Sequence, residues 1–171
     1  MQGKFRYFFV KSREICLCPQ CQAPLKHRDY RFRSMKLEGG EKRILRLERL
    51  QCTNEGCRRL HNALPDCLVP YKHYAAEVIS GVLDDIIAAD DTEDEDYPCE
   101  TTMYRWKLWM MRNRLRIDGY LKSVAHRMLA FDQRLLTVPV SLFDTIRLQN
   151  ERWLEDFLRL IYNAGGFLVP S

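Results

Sequence analysis

Two pairs of cysteines set the tightest limit on what this chain can fold into. Cys18-Pro-Gln-Cys21 is followed, after thirty residues, by Cys52-x4-Cys57. A short turn lets two thiolates point at one ion, and two such knuckles supply the four soft ligands of a tetrahedral zinc site. Between them Glu38-Gly39-Gly40-Glu41 supplies a hairpin turn, since paired glycines accept the positive φ a tight reversal needs. The pattern predicts one structural zinc ion on Cys18, Cys21, Cys52 and Cys57, in a zinc ribbon. Four thiolates leave no coordination position for water, which argues for a structural and not a catalytic ion. Cys16, two residues before Cys18, and His61, four beyond Cys57, are alternative ligands. Cys67 and Cys99 read as small buried or semi-buried apolar residues.

No secretory signal is legible in the basic, aromatic start Met1 to Val10, and no apolar run reaches the ~18 residues of a membrane span. The expected compartment is the cytoplasm, where clustered thiols stay reduced and more often bind metal than pair with one another. No membrane partner is expected.

The net charge of +4 conceals segregation. Residues 1–61 carry fifteen Lys and Arg against six Asp and Glu, and residues 101–134 carry eight against two. Between them, residues 62–100 carry one against eleven. Basic blocks on a folded scaffold suit a polyanion, so double-stranded DNA is the expected partner. The acidic run Asp90 to Asp96 reads as an exposed loop. That loop, or the last helix, is the alternative contact surface, for a protein partner.

The expected fold is α+β: a zinc ribbon over 1–69, then an all-α region of about four helices over 70–171. Lys4 to Val10, Tyr30 to Leu37 and Lys42 to Gln51 read as strands. Ala75, Val78, Ile79, Val82, Leu83 and Ile86 recur at helical spacing and predict a helix over 74–89. A second helix is expected over 100–116, a break at Asp118-Gly119, a third helix over 120–131, and a fourth over 141–163. The fourth carries a stripe of Phe143, Ile146, Trp153, Phe157, Leu160 and Ile161. Trp106, Trp109 and Trp153 are candidate core residues.

On the second helix Met103, Trp106, Met110 and Asn113 share one face, while Arg105, Arg112 and Arg116 fall on another. A helix placed in a DNA groove is arranged in this way. With the hairpin arginines Arg31, Arg33, Arg43 and Arg46 they form the candidate nucleic-acid-binding set. The stretch 74–117 is a helix-turn-helix-like candidate, although the acidic loop exceeds a tight turn.

The order Cys-Pro-Gln-Cys, basic hairpin, Cys-x4-Cys and then Leu64-Pro-Asp-Cys-Leu-Val-Pro-Tyr-Lys-His-Tyr74 resembles a bacterial family of unknown function found near mobile elements. It is similar to the N-terminal zinc ribbon of insertion-sequence transposases, where a helix-turn-helix region follows. Thr101 to Trp109 looks like the start of its second helix. The resemblance spans about residues 16 to 112 and implies DNA binding by ribbon and helices. It does not extend to catalysis, because nothing after residue 112 is long enough for a transposase catalytic domain. The chain has no Gly-rich phosphate loop, nucleophile elbow or His-Glu-x-x-His motif. The expectation is a DNA-binding accessory or regulatory protein, not an enzyme.

Overall fold

The computed structural model describes residues 7–12, 15–88, 98–129 and 139–170. The fold is mixed α+β, with a small sheet and four α-helices among the described residues. The chain divides into two compact units, Met1–Ala75 and Ala76–Ser171.

The first unit is built on a long antiparallel hairpin. Strand β2 (Leu25–Lys36) pairs with β3 (Lys42–Cys52) along its length, from Lys36 opposite Lys42 to Leu25 opposite Cys52. The reversal is a single 3-10 turn, in which Gly39 and Gly40 take φ of 76° and 77°. An L side chain pays a steric penalty there and glycine does not. Along the other edge of β3 lie two short strands. Strand β1 (Tyr7–Val10) runs parallel to Ile44 through Leu47, and β4 (Leu60–Asn62) runs antiparallel to Arg49 through Gln51. The expected strand over 4–10 is thus present from Tyr7, with residues 4–6 outside the described residues. Met35, Leu45, Leu47, Leu50, Leu68 and Val69 are buried. The connector closes on the hairpin through Lys36, whose N–H donates to His73 and whose carbonyl accepts from Ala75.

The second unit departs from the expected helices at three points, each with a local cause. Helix α1 (Ala76–Leu83) stops well short of residue 89. Asp85 turns left-handed (φ 57°), the Ile86 N–H reaches back to the Gly81 carbonyl, and the Asp85 N–H reaches Val82. This C-terminal wrap ends the helix and throws Ile86, expected in the core, three-quarters into solvent. The expected break at Asp118-Gly119 does not occur: α2 (Glu100–Leu129) runs straight through. Ile117 and Leu121 are buried on either side. Asp118 pairs with Lys122 one turn on and accepts the Phe143 N–H. Burial of flanking apolar residues outweighs the ~1 kcal/mol helix penalty of one exposed glycine. The expected fourth helix, by contrast, is two: α3 (Leu142–Gln149) and α4 (Trp153–Asn163). Asn150 adopts an extended conformation, and its Oδ1 accepts the Arg152 N–H. The break resets the helical phase, so Trp153, Phe157 and Ile161 are buried while Leu160 is exposed and Ile146 half-buried. Trp106 and Trp109 are buried as expected. The acidic run 90–96 and the end of the expected third helix lie outside the described residues. Among the described residues no helix is long and apolar enough to cross a membrane.

Candidate metal centre and basic surfaces

The four predicted cysteines converge at the open end of the hairpin. Cys52 is the last residue of β3, and Cys18 and Cys21 sit on the turn that leads into β2. Cys57 sits on the turn between β3 and β4. Each turn places a left-handed residue directly after its second cysteine, Gln22 (φ 59°) and Arg58 (φ 45°). In the first turn the Gln22 N–H donates to Cys18 O. In the second the Cys57 and Arg58 N–H groups both donate to Asn54 O, and the Asn54 side chain accepts from Gly56. Thr53 joins the turns, donating from both its N–H and its hydroxyl to the Pro24 carbonyl.

The Sγ atoms of Cys18, Cys21, Cys52 and Cys57 all lie within 4.8 Å of one another and can hold a metal ion. Cys21 and Cys52 approach to 3.4 Å, and Cys18 and Cys57 to 3.8 Å. Burial raises the Cys18 thiol, but main-chain N–H groups of Gln20 and Cys21, the Cys21 side chain and His61 outweigh it and lower its pKa to about 6. Burial pushes Cys52 up to about 12, with only the Asn54 main chain opposing. Crowded thiolates repel one another, and a cation among them reverses that penalty.

His61, weighed as an alternative ligand, stands beside the cluster: its Nε2 is 3.5 Å from Cys18 Sγ. Cys16 and Cys67 are half-buried and lie outside the four-sulfur group. Cys99 is exposed, against the expectation of burial, because it precedes α2 and its thiol bonds the Thr102 hydroxyl at 3.2 Å.

The seven arginines occupy different settings. Arg31 is exposed. Arg33 is half-buried and donates to the Lys72 carbonyl at 2.9 Å, and burial, with Arg31 nearby, lowers its pKa. Arg43 pairs with Glu41 at 2.8 Å. Arg46 lies 3.9 Å from the centre of the Tyr30 ring and within 6 Å of the Phe9 and Tyr7 rings. On α2, Arg105, Arg112 and Arg116 are exposed. Arg105 and Arg112 flank a shallow depression with Leu108 and Trp109, and Arg116 lies over the Phe167 ring at 5.1 Å. The rings around Arg46 are the feature that sequence reasoning missed. Tyr7 and Phe9 stand more than twenty residues before Tyr30, and the parallel pairing of β1 with β3 brings them together.

No curated protein and no solved structure matches the chain. One family model does, over residues 18–106, which is just over half of the 171 residues and includes all four clustered cysteines. The chain therefore belongs to the family described as a domain of unknown function, DUF6431.

Proposed function

We propose that this protein is a zinc-stabilised, DNA-binding accessory or regulatory protein of a mobile element. The observation that carries the reading is the four-sulfur cluster at the foot of a strongly basic hairpin. A tetrahedron with Zn–S bonds of ~2.3 Å has edges of roughly 3.8 Å, and two of the sulfur pairs, at 3.4 and 3.8 Å, lie near that value, with all four atoms within 4.8 Å of one another. In this reading the four cysteines hold the zinc of a ribbon whose hairpin reverses at Gly39 and Gly40. The hairpin, residues 25–52, carries nine Lys and Arg against four Asp and Glu. Arg31 on the hairpin and Arg105, Arg112 and Arg116 on α2 supply exposed guanidinium groups for phosphate contact. Arg33 contributes to folding instead, through its bond to Lys72.

A titration of labelled duplex at several salt concentrations tests the reading. Each phosphate neutralised contributes about −0.9 to the log–log salt slope. Binding should weaken steeply with salt, and Arg31→Gln should flatten the slope by about one. Absence of duplex binding at low salt ends the reading.

One observation favours a second reading, a protein-interaction module. Tyr104, Met111 and Leu115 on α2 are exposed to 65%, 67% and 88%. With half-buried Leu108 they repeat at spacings of four, three and four, the seam of a helix that packs on another helix. A partner helix, and not phosphate, is what such a stripe accepts.

A further inference from the structure

The sheet of the first unit carries an aromatic face. Register places Phe9, Arg46 and Phe32 in one row across β1, β3 and β2. Tyr7, Ile44 and Ser34 form the next row, and Tyr30 stands opposite Glu48. Residues directly opposite one another point to the same side of a sheet, so Tyr7, Phe9, Tyr30, Phe32 and Arg46 share one face. Tyr7, Phe9, Tyr30 and Phe32 are 49%, 49%, 37% and 58% exposed. A contiguous apolar surface of this kind marks an interaction site. The rings meet edge-on or tilted: Tyr7 and Phe32 at 5.6 Å and 80°, Phe9 and Tyr30 at 5.4 Å and 58°. Neither pair stacks face to face.

We propose that this face binds single-stranded DNA, with unpaired bases stacking on Tyr7, Phe9, Tyr30 and Phe32 while Arg46 and the surrounding basic residues attract the backbone. Flat rings interleaved with a guanidinium are how single strands are held without sequence preference. A duplex keeps its base faces stacked on one another and cannot offer them to a sheet. The hairpin's charge, nine basic residues against four acidic, favours a polyanion over an apolar peptide. Arg46 is held at 3.9 Å over Tyr30, so its charge lies within the aromatic surface and not beside it. The proposal rests on the nucleic-acid reading above and assigns this face the unpaired form.

The test is fluorescence anisotropy of the zinc-loaded full chain with a labelled oligo-dT, a duplex of equal length and an oligo-U. Variants are Phe32→Leu, which keeps an apolar side chain but removes the ring, and Phe32→Tyr, which keeps it. Oligo-dT should bind at low salt. Phe32→Leu should weaken that binding about five- to a hundred-fold, on the scale of one lost base stack, with duplex binding and melting temperature little changed. Phe32→Tyr should restore it. Duplex binding without oligo-dT binding overturns the proposal and leaves the duplex reading standing, whereas failure of every oligonucleotide overturns both. Binding of oligo-U alone, or oligo-dT binding indifferent to Phe32→Leu at unchanged stability, also overturns it.

Discussion

Cys52 and Cys99 stand in contrasting settings. Cys52 is 2% exposed at the end of β3, 3.4 Å from Cys21. Cys99 is exposed before α2, its thiol bonded to the Thr102 hydroxyl. Cys52→Ser is expected to drop bound zinc to well under half an equivalent per chain by elemental analysis and to unfold the hairpin, because ion binding and folding are one free energy. Cys99→Ser is expected to leave zinc content unchanged. Cysteine spacing made the cluster legible because four ligands and one ion leave few arrangements. The setting of Cys99 was not legible, since sequence reports that a small side chain can be buried but not whether anything covers it.

At the scale of the element, periodicity gave the buried face of α2 but not its partner. Met103, Trp106, Met110 and Asn113 are all buried, as their spacing predicts. What makes a buried asparagine acceptable lies 56 residues away. Asn113 Oδ1 accepts the Val169 N–H at 2.8 Å, and its Nδ2 donates to the carbonyls of Val169 and Trp109. The amide therefore pins the C-terminal segment to the middle of α2. Asn113→Leu should lower stability by about 1–3 kcal/mol in denaturant melts, as the Val169 groups lose their partner. It should also speed amide exchange at Val169. The helix boundaries were the least legible part for the same reason. Asp118-Gly119 is a breaker in isolation, and Asn150 is not. Buried Ile117 and Leu121 carry the chain through the first, whereas the Asn150 side chain satisfies the turn at the second.

For the molecule as a whole, the two units differ in the apolar core that each buries. The second has a dense core of Trp153, Phe143, Phe157, Leu154 and Ile161, with Trp153 stacked on Phe157 at 5.3 Å and Phe143 edge-on to both. The first buries a handful of aliphatic side chains, and cores in domains of this size rarely supply more than about 3–5 kcal/mol. Chelation should therefore dissolve the hairpin's amide protection in hydrogen exchange while the helical far-UV signal largely survives. Simultaneous loss of both would show that the helical unit needs the ion as well. The α+β class and the basic hairpin were readable from alternation and glycine placement. The sheet order was not, because the parallel pairing of β1 with β3 spans more than thirty residues and depends on side chains meeting only after the hairpin forms.

The outer edge of β2 bears on whether one copy of the sheet can add to another. Between Lys26 and Met35 no strand pairs with that edge among the described residues. A long open edge is a template for another chain to add to. Lysine and arginine along it discourage that addition, because two such edges repel. Lys26, Arg28 and Arg31 stand exposed there. The charges that would draw in a polyanion therefore also guard the strand against self-assembly. Replacing them with neutral residues removes both effects together, whereas reversing all three to glutamate removes the attraction and still leaves two such edges repelling each other.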